Sequence, residues 1–197
     1  MGLLFNILIN LTVFAVVALG GGLGTAYYMM DSGSRLSTKT FGAWTTWTAA
    51  GRPDADPYTR AHTAWHTLLP LASTLELTYR ARADSAGARL HAGCEYAVLI
   101  DGLDAAWWSI GVYDAGGRLI PNPADRYAYN SDTVMREPDG RAVITVARDA
   151  RPGNWLPIGG SGRVVLVLTV QDSAWAAATV EGAPPKPLPV IQRVACR

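Results

Sequence analysis

No charged side chain occurs between Gly2 and Met30, and from Leu3 to Ala26 the polar side chains are Asn6, Asn10, Thr12 and Thr25 alone. At about 1.5 Å per residue, a helix of that length crosses a hydrocarbon core of roughly 30 Å with length to spare. Residues 1–30 therefore read as a transmembrane anchor. A cleaved signal peptide is the rival, since small residues around Gly24 to Ala26 suit a peptidase. Against it stand the absence of Lys or Arg ahead of the apolar run and the length of that run.

Gly20 and Gly24 have the small-xxx-small spacing that lets a second helix approach closely, and Asn6 and Asn10 lie one turn apart, where both amides can hydrogen-bond to a neighbour. These four residues are the expected contact with a partner helix. Glycine is also common in membrane helices generally, and the two Asn side chains can equally sit near headgroups.

With about thirty of the 197 residues in a bilayer, the remainder fits one domain of ordinary size. The net charge is +1 and Lys and Arg are dispersed among Asp and Glu, so the electrostatic footprint of a nucleic-acid-binding protein is missing. Seven Trp and eight Tyr against three Phe is a bias toward rings with one wet edge, which suits membrane and protein interfaces. The first charges after the apolar run, Asp31, Arg35 and Lys39, mildly favour a cytoplasmic placement of that side. Cys94 and Cys196 argue the other way, because a distant pair in a small β domain suits one disulfide in an oxidising compartment. Two isolated buried thiols would read the same.

Residues 31–56, rich in Ser, Thr, Gly and Pro, read as a linker. Phe41, Trp44 and Trp47 recur there at steps of three, which lays them along a short interfacial helix or folds them onto the domain. Asp56-Pro57 is an N-cap followed by proline at the first helical position, and Tyr58, Ala61, Trp65 and Leu68 recur on one face until Pro70. Beyond Pro70 the period falls to two, with Leu75, Leu77 and Tyr79 alternating with Glu76, Thr78 and Arg80. Further strand-like runs span 96–100, 107–113, 127–130, 143–147, 164–170 and 190–195, separated by turn signals such as Asp114-Ala115-Gly116-Gly117 and Pro138-Asp139-Gly140. The expected fold is mainly β: a sandwich or jelly roll over 57–197 with one short packing helix, preceded by a single transmembrane helix.

The run Trp107-Trp108-Ser109-Ile110-Gly111-Val112-Tyr113-Asp114, followed by Gly117-Arg118-Leu119-Ile120, Asn122, Tyr127, Asp139-Gly140 and Gly153-Asn154-Trp155-Leu156-Pro157, resembles the bacterial domain-of-unknown-function 1214 family. Asp56-Pro57-Tyr58-Thr59-Arg60-Ala61 and Leu69-Pro70-Leu71 look like the extension of its membrane-anchored proteobacterial members. The resemblance covers most of 53–172 and implies a β-sandwich, often encoded near or fused to a domain of the 1254 family, without implying a reaction. A departure falls at Thr169-Val170-Gln171-Asp172, where many members carry an Arg and a Tyr.

Candidate sites divide between chemistry and packing. His62 and His66 have the i, i+4 spacing of a metal pair, but no His-Glu-x-x-His or Cys-x-x-Cys motif completes it, so neither metal nor cofactor is expected. No serine sits in a Gly-x-Ser-x-Gly frame, and Gly159-Gly160-Ser161-Gly162 reads as a hairpin turn. Asn154 and Trp155, on a loop stiffened by Pro152 and Pro157, either present an amide and an indole to a ligand or plug one end of the sandwich. Trp107 and Trp108 point to opposite faces of a strand, so only one can enter the core. With Trp44 and Trp47 these are the interface or ligand candidates. Asp101, Asp104 and Asp114 read as turn formers before they read as acid and base.

Two functional classes follow. In the first, the chain is a non-catalytic accessory subunit of a bacterial inner-membrane complex, an energy-transducing one being a candidate, with its β domain on the periplasmic face and its helix among other membrane helices. In the second, it is a cell-envelope enzyme or a binder of a small carbohydrate or lipid ligand. The missing catalytic constellation favours the first.

Overall fold

The computed structural model describes residues 2–66 and 68–196. Gly2–Val16 (α1), a π-helical turn at Val17–Gly21 and Gly22–Ser32 (α2) form one continuous helix, none of whose apolar stretch is buried against the domain. The wider turn falls where Gly20 and Gly21 lack the side chains that would hold tighter helical geometry. Thr12 and Thr25 donate their hydroxyls to the carbonyls of Leu8 (2.8 Å) and Gly21 (2.7 Å), so neither brings an unsatisfied group into apolar surroundings.

Gly33 ends the helix with φ +80° and its N–H on the Met29 carbonyl at 3.0 Å. The Thr38 side chain occupies the space a Cβ on Gly33 would need. Strands Thr38–Phe41 (β1) and Trp44–Trp47 (β2) begin five residues beyond the helix and pair Phe41 with Trp44. This corrects the reading of 31–56 as a linker. The aromatic spacing of three is not a helical stripe; Trp44 points into the core and Trp47 to the opposite face of the same strand.

Helix Pro57–Trp65 (α3) starts as expected, with the Asp56 carboxylate accepting from Tyr58 and Thr59 backbone N–H groups. Its buried face, however, is Thr59 and His62, while Tyr58 and Trp65 are exposed. The remaining strands are Glu76–Ala81 (β3), Cys94–Ile100 (β4), Trp107–Asp114 (β5), Ala128–Asn130 (β6), Ala142–Ala147 (β7), Asn154–Pro157 (β8), Val164–Gln171 (β9) and Val190–Cys196 (β10). They build a six-stranded sheet, β1-β2-β3-β9-β5-β6, and a four-stranded sheet, β10-β4-β7-β8. Among the described residues only β7 and β8 pair in parallel. The β8–β9 connection crosses from one sheet to the other, so Gly159 to Gly162 do not make the expected hairpin turn.

Period-two burial packs the inner faces into one core: Leu77, Tyr79 and Ala81 of β3, Trp108 and Ile110 of β5 and Leu168 of β9 from the six-stranded sheet, and Tyr96, Val98 and Ile100 of β4 from the other. A second short helix, Ser173–Glu181 (α4), adds Trp175 and Ala176 to that core. Asp172 caps it, and the Trp175 indole donates to Tyr79 Oη (3.0 Å), which is 3.0 Å from Thr179 Oγ1. Lys39 of β1 donates to the Val180 carbonyl at 2.7 Å, placing a cation at the negative end of α4.

Candidate functional site

The outward face of the six-stranded sheet carries the polar residues that period two sets opposite the core: Thr45 and Trp47 on β2, then Glu76, Thr78 and Arg80 on β3. The last turn of α2 and helix α3 close over the β2–β3 side of this face. His62 of α3 lies flat on Trp47, ring centroids 4.1 Å apart and planes 20° apart, and its Nδ1 donates to the Met30 carbonyl at 2.9 Å. That bond leaves Nε2 as the bare nitrogen of the neutral ring, buried and without a hydrogen-bond partner among the described residues. Burial, together with the nearby His66, Arg80 and Arg82 charges, pushes the His62 pKa down to about 4, despite the opposing Met30 bond.

His66 follows one turn on, its ring centroid 4.5 Å from that of His62 and its Nε2 3.8 Å from the Asp31 carboxylate. The histidine pair is thus a joint between the apolar helix and the domain. Among the described residues no three of His, Cys, Asp and Glu gather as metal ligands.

A cleft of about 480 Å³ opens beside the joint, lined by Asp31, Ser32, His66, Arg80, Arg82, Arg89 and Arg163. Arg80 is half-buried, and burial followed by the neighbouring Arg82 charge lowers its pKa. A second, more apolar cavity of about 190 Å³ lies between His62, Trp47, Arg80 and the loop from Leu68 to Leu71. Gly51 holds that loop close: at φ +69°, a Cβ there would lie 2.4 Å from the Leu71 carbonyl oxygen.

The other expected site residues disperse. Asn6, Asn10, Gly20 and Gly24 all lie exposed along the apolar helix, and nothing approaches within 4 Å of a Cβ built on either glycine. Trp44 is buried and donates to the Pro189 carbonyl at 2.7 Å. Trp108 fills the core, while Trp107 lies on the outer face, paired across to Gln171. Cys94 and Cys196 form a disulfide at the paired ends of β4 and β10.

Asn154 is buried and all its bonds turn inward: Oδ1 accepts from Met135 N–H (2.7 Å), and Nδ2 donates to the carbonyls of Met135 (2.8 Å) and Val143 (3.0 Å). The Trp155 indole donates to the Ala147 carbonyl at 2.9 Å. This loop plugs the sandwich and leaves its amide nothing to offer a ligand. Replacing Asn154 by Ala strands three backbone groups and is expected to lower unfolding stability by about 1–3 kcal/mol in urea denaturation. A midpoint unchanged from wild type would mean that water takes over these bonds.

Residues 76–174 match the family described as Protein of unknown function (DUF1214). The chain belongs to that family. The DUF1214 match contains Arg80, Arg82, Arg89 and Arg163, whereas Asp31, Trp47, His62 and His66 lie outside it. The DUF1214 fold is shared with the VPA0106 protein from Vibrio parahaemolyticus, whose crystal structure superimposes with a TM-score of 0.61 at 16% identity, over 89% of this chain and 43% of that one. An uncharacterized protein from Burkholderia cenocepacia aligns with a TM-score of 0.43 and 15% identity over 60% of this chain and 29% of its own. No curated protein matches. The cationic cleft is thus assembled from the DUF1214 sheet and from a joint that lies N-terminal to the family segment.

Proposed function

We propose that this DUF1214 protein is a membrane-anchored, non-catalytic accessory subunit. In this reading α1 and α2 cross a bacterial inner membrane among the helices of a larger complex, and the sandwich lies on the periplasmic face. The observation that carries it is the apolar helix Gly2–Ser32, whose apolar stretch its own domain leaves exposed while its last turn is docked. In water so long an apolar surface has no stable exposure; a bilayer and partner helices supply the missing contacts. Docking supports retention over cleavage, because Met30 and Asp31 belong to the packing around His62 and His66. The disulfide supports the periplasmic side, where such bonds persist. The alternative reading, a ligand or enzymatic site at the Trp155 loop, loses support because that loop's polar groups are spent within the fold.

The test is mild-detergent extraction of native membranes containing affinity-tagged chain, followed by sizing and identification of what co-purifies. Stoichiometric recovery with an integral membrane protein is the expected result. Gly20→Leu with Gly24→Leu should abolish it while leaving the chain in the membrane fraction and its sandwich folded by circular dichroism. Recovery of wild type as a lone monomer, or of a shortened chain in the soluble periplasmic fraction, sinks the proposal.

A further inference from the structure

Four arginines of this domain have a counter-charge of their own. Arg52 pairs with Asp54, Arg141 with Asp139, Arg151 with Glu95 and Arg193 with Asp84. Arg80, Arg82, Arg89 and Arg163 stand apart by position: they line one cleft together, and none forms an ion pair among the described residues. Carboxylates near the rim are turned elsewhere. Asp84 accepts from the Ala86 and Ala88 backbone and from Arg193, and Asp114 caps its own turn through Gly116 and Arg118 N–H groups. Among the described residues Asp31 is the one carboxylate lining the cleft, and it faces His66. Four guanidinium groups against one carboxylate leave a local excess of three positive charges. Holding a half-buried cation such as Arg80 beside Arg82 is costly unless an anion enters.

The height of the cleft says where an anion would come from. Helix Gly2–Ser32 has 31 residues, which at the α-helical rise is about 46 Å. A bilayer with its headgroup layers is about 40–45 Å thick. Asp31 and Ser32, at the end of that helix and on the cleft wall, therefore stand at headgroup level once the helix spans, with Tyr27 and Tyr28 one turn deeper as interfacial rings. Guanidinium forks match phosphate oxygens in pairs, which makes several converging arginines a phosphate receptor in preference to a site for a small halide.

We propose that the cleft formed by Arg80, Arg82, Arg89 and Arg163 at the end of the apolar helix binds a phosphate group, that of an anionic lipid headgroup. The proposal rests on the membrane-spanning reading, and makes the sandwich a reader of the leaflet it stands on. Bound lipid also neutralises the cleft and locks the joint that Asp31 and His66 make.

The experiment uses the full chain in nanodiscs of phosphatidylcholine with or without phosphatidylglycerol, and with inorganic phosphate as a separate arm. The thermal midpoint and the lipid retained after detergent washing are read. Expected are a higher midpoint with phosphatidylglycerol and its enrichment over phosphatidylcholine in the retained lipid. Arg82→Gln with Arg163→Gln, both exposed enough to spare the fold, should cut that preference on the order of tenfold. The charge-matched pair Arg136→Gln with Arg148→Gln, outside the cleft, should leave it intact. Stabilisation by inorganic phosphate alone in phosphatidylcholine discs supports phosphate recognition but overturns the lipid as its source. No response in either arm, or equal loss in both pairs, overturns the site. Incorporation into discs is scored separately, so failure of the membrane reading appears as chain that never enters a disc.

Discussion

Replacing Cys94 and Cys196 by Ser should lower the unfolding free energy by about 2–5 kcal/mol, the largest single-site effect expected in this protein. The bond closes a loop of sequence separation 102, for which the chain-entropy argument gives about 4.7 kcal/mol. Local structure points the same way. β10 is an edge strand bonded to β4 alone, and within it only Ile191 is buried. Its first half is tied by the paired bonds between Ser85 and Ile191 and by Arg193 on the buried Asp84. Beyond the irregularity between Arg193 and Ala195 the disulfide is the main restraint. Non-reducing denaturation should show the full loss, and hydrogen exchange should show amides of residues 194–196 opening first. A double variant as stable as wild type under oxidising conditions would show that the two sulfurs are not joined in the native protein, and would remove the support for a periplasmic domain.

Acid should loosen the joint between helix and sandwich. His62 titrates at about 4 when docked, against 6.5 for a free imidazole. Between those values the undocked chain takes up a proton that the docked ring refuses, so the stabilisation is complete above pH 6.5 and drains away as pH falls toward 4. The difference corresponds to about 3 kcal/mol at the acid end. The physical origin is the sealed Nε2, which gains a proton with no acceptor to receive it, next to Arg80, Arg82 and His66. His62→Asn keeps a donor for the Met30 carbonyl and does not titrate. Its urea midpoint should fall less than that of wild type between pH 7 and 4. Parallel pH profiles for the two proteins would contradict the assignment to His62.

Reading the strands from the sequence worked where one face is buried and the other wet. Glu76–Ala81 alternates in residue type, and its burial alternates too. The hairpin β1–β2 escaped because Phe41, Trp44 and Trp47 suggest a three-residue period, although the β-branched Thr38, Thr40, Thr45 and Thr46 around a glycine turn signal a hairpin. Helix α4 escaped for the opposite reason: Ser173–Glu181 is apolar nearly all round, and its one clear marker was the capping Asp172. On α3 the periodic residues Tyr58 and Trp65 proved exposed, since stacking on Trp47 decides which face docks. The cationic cleft was only half legible. Arg80 could be seen on the outward face of a strand; the approach of Asp31, Arg82, Arg89 and Arg163 depends on how separate segments meet, which no local pattern carries.

The short passage from Gly33 to Ser37 carries a mechanical consequence. Most anchored domains hang on slack chain that lets them tumble above the bilayer. Here the last helical turn is clasped by His62 and His66 and the sheet starts immediately after it, so rotation of the helix is rotation of the domain. A span tilts to match the thickness of its bilayer. Under the membrane-spanning proposal such a tilt swings the whole sandwich like a compass needle, and the thickness of the surrounding lipid sets the angle at which the domain stands on the bilayer.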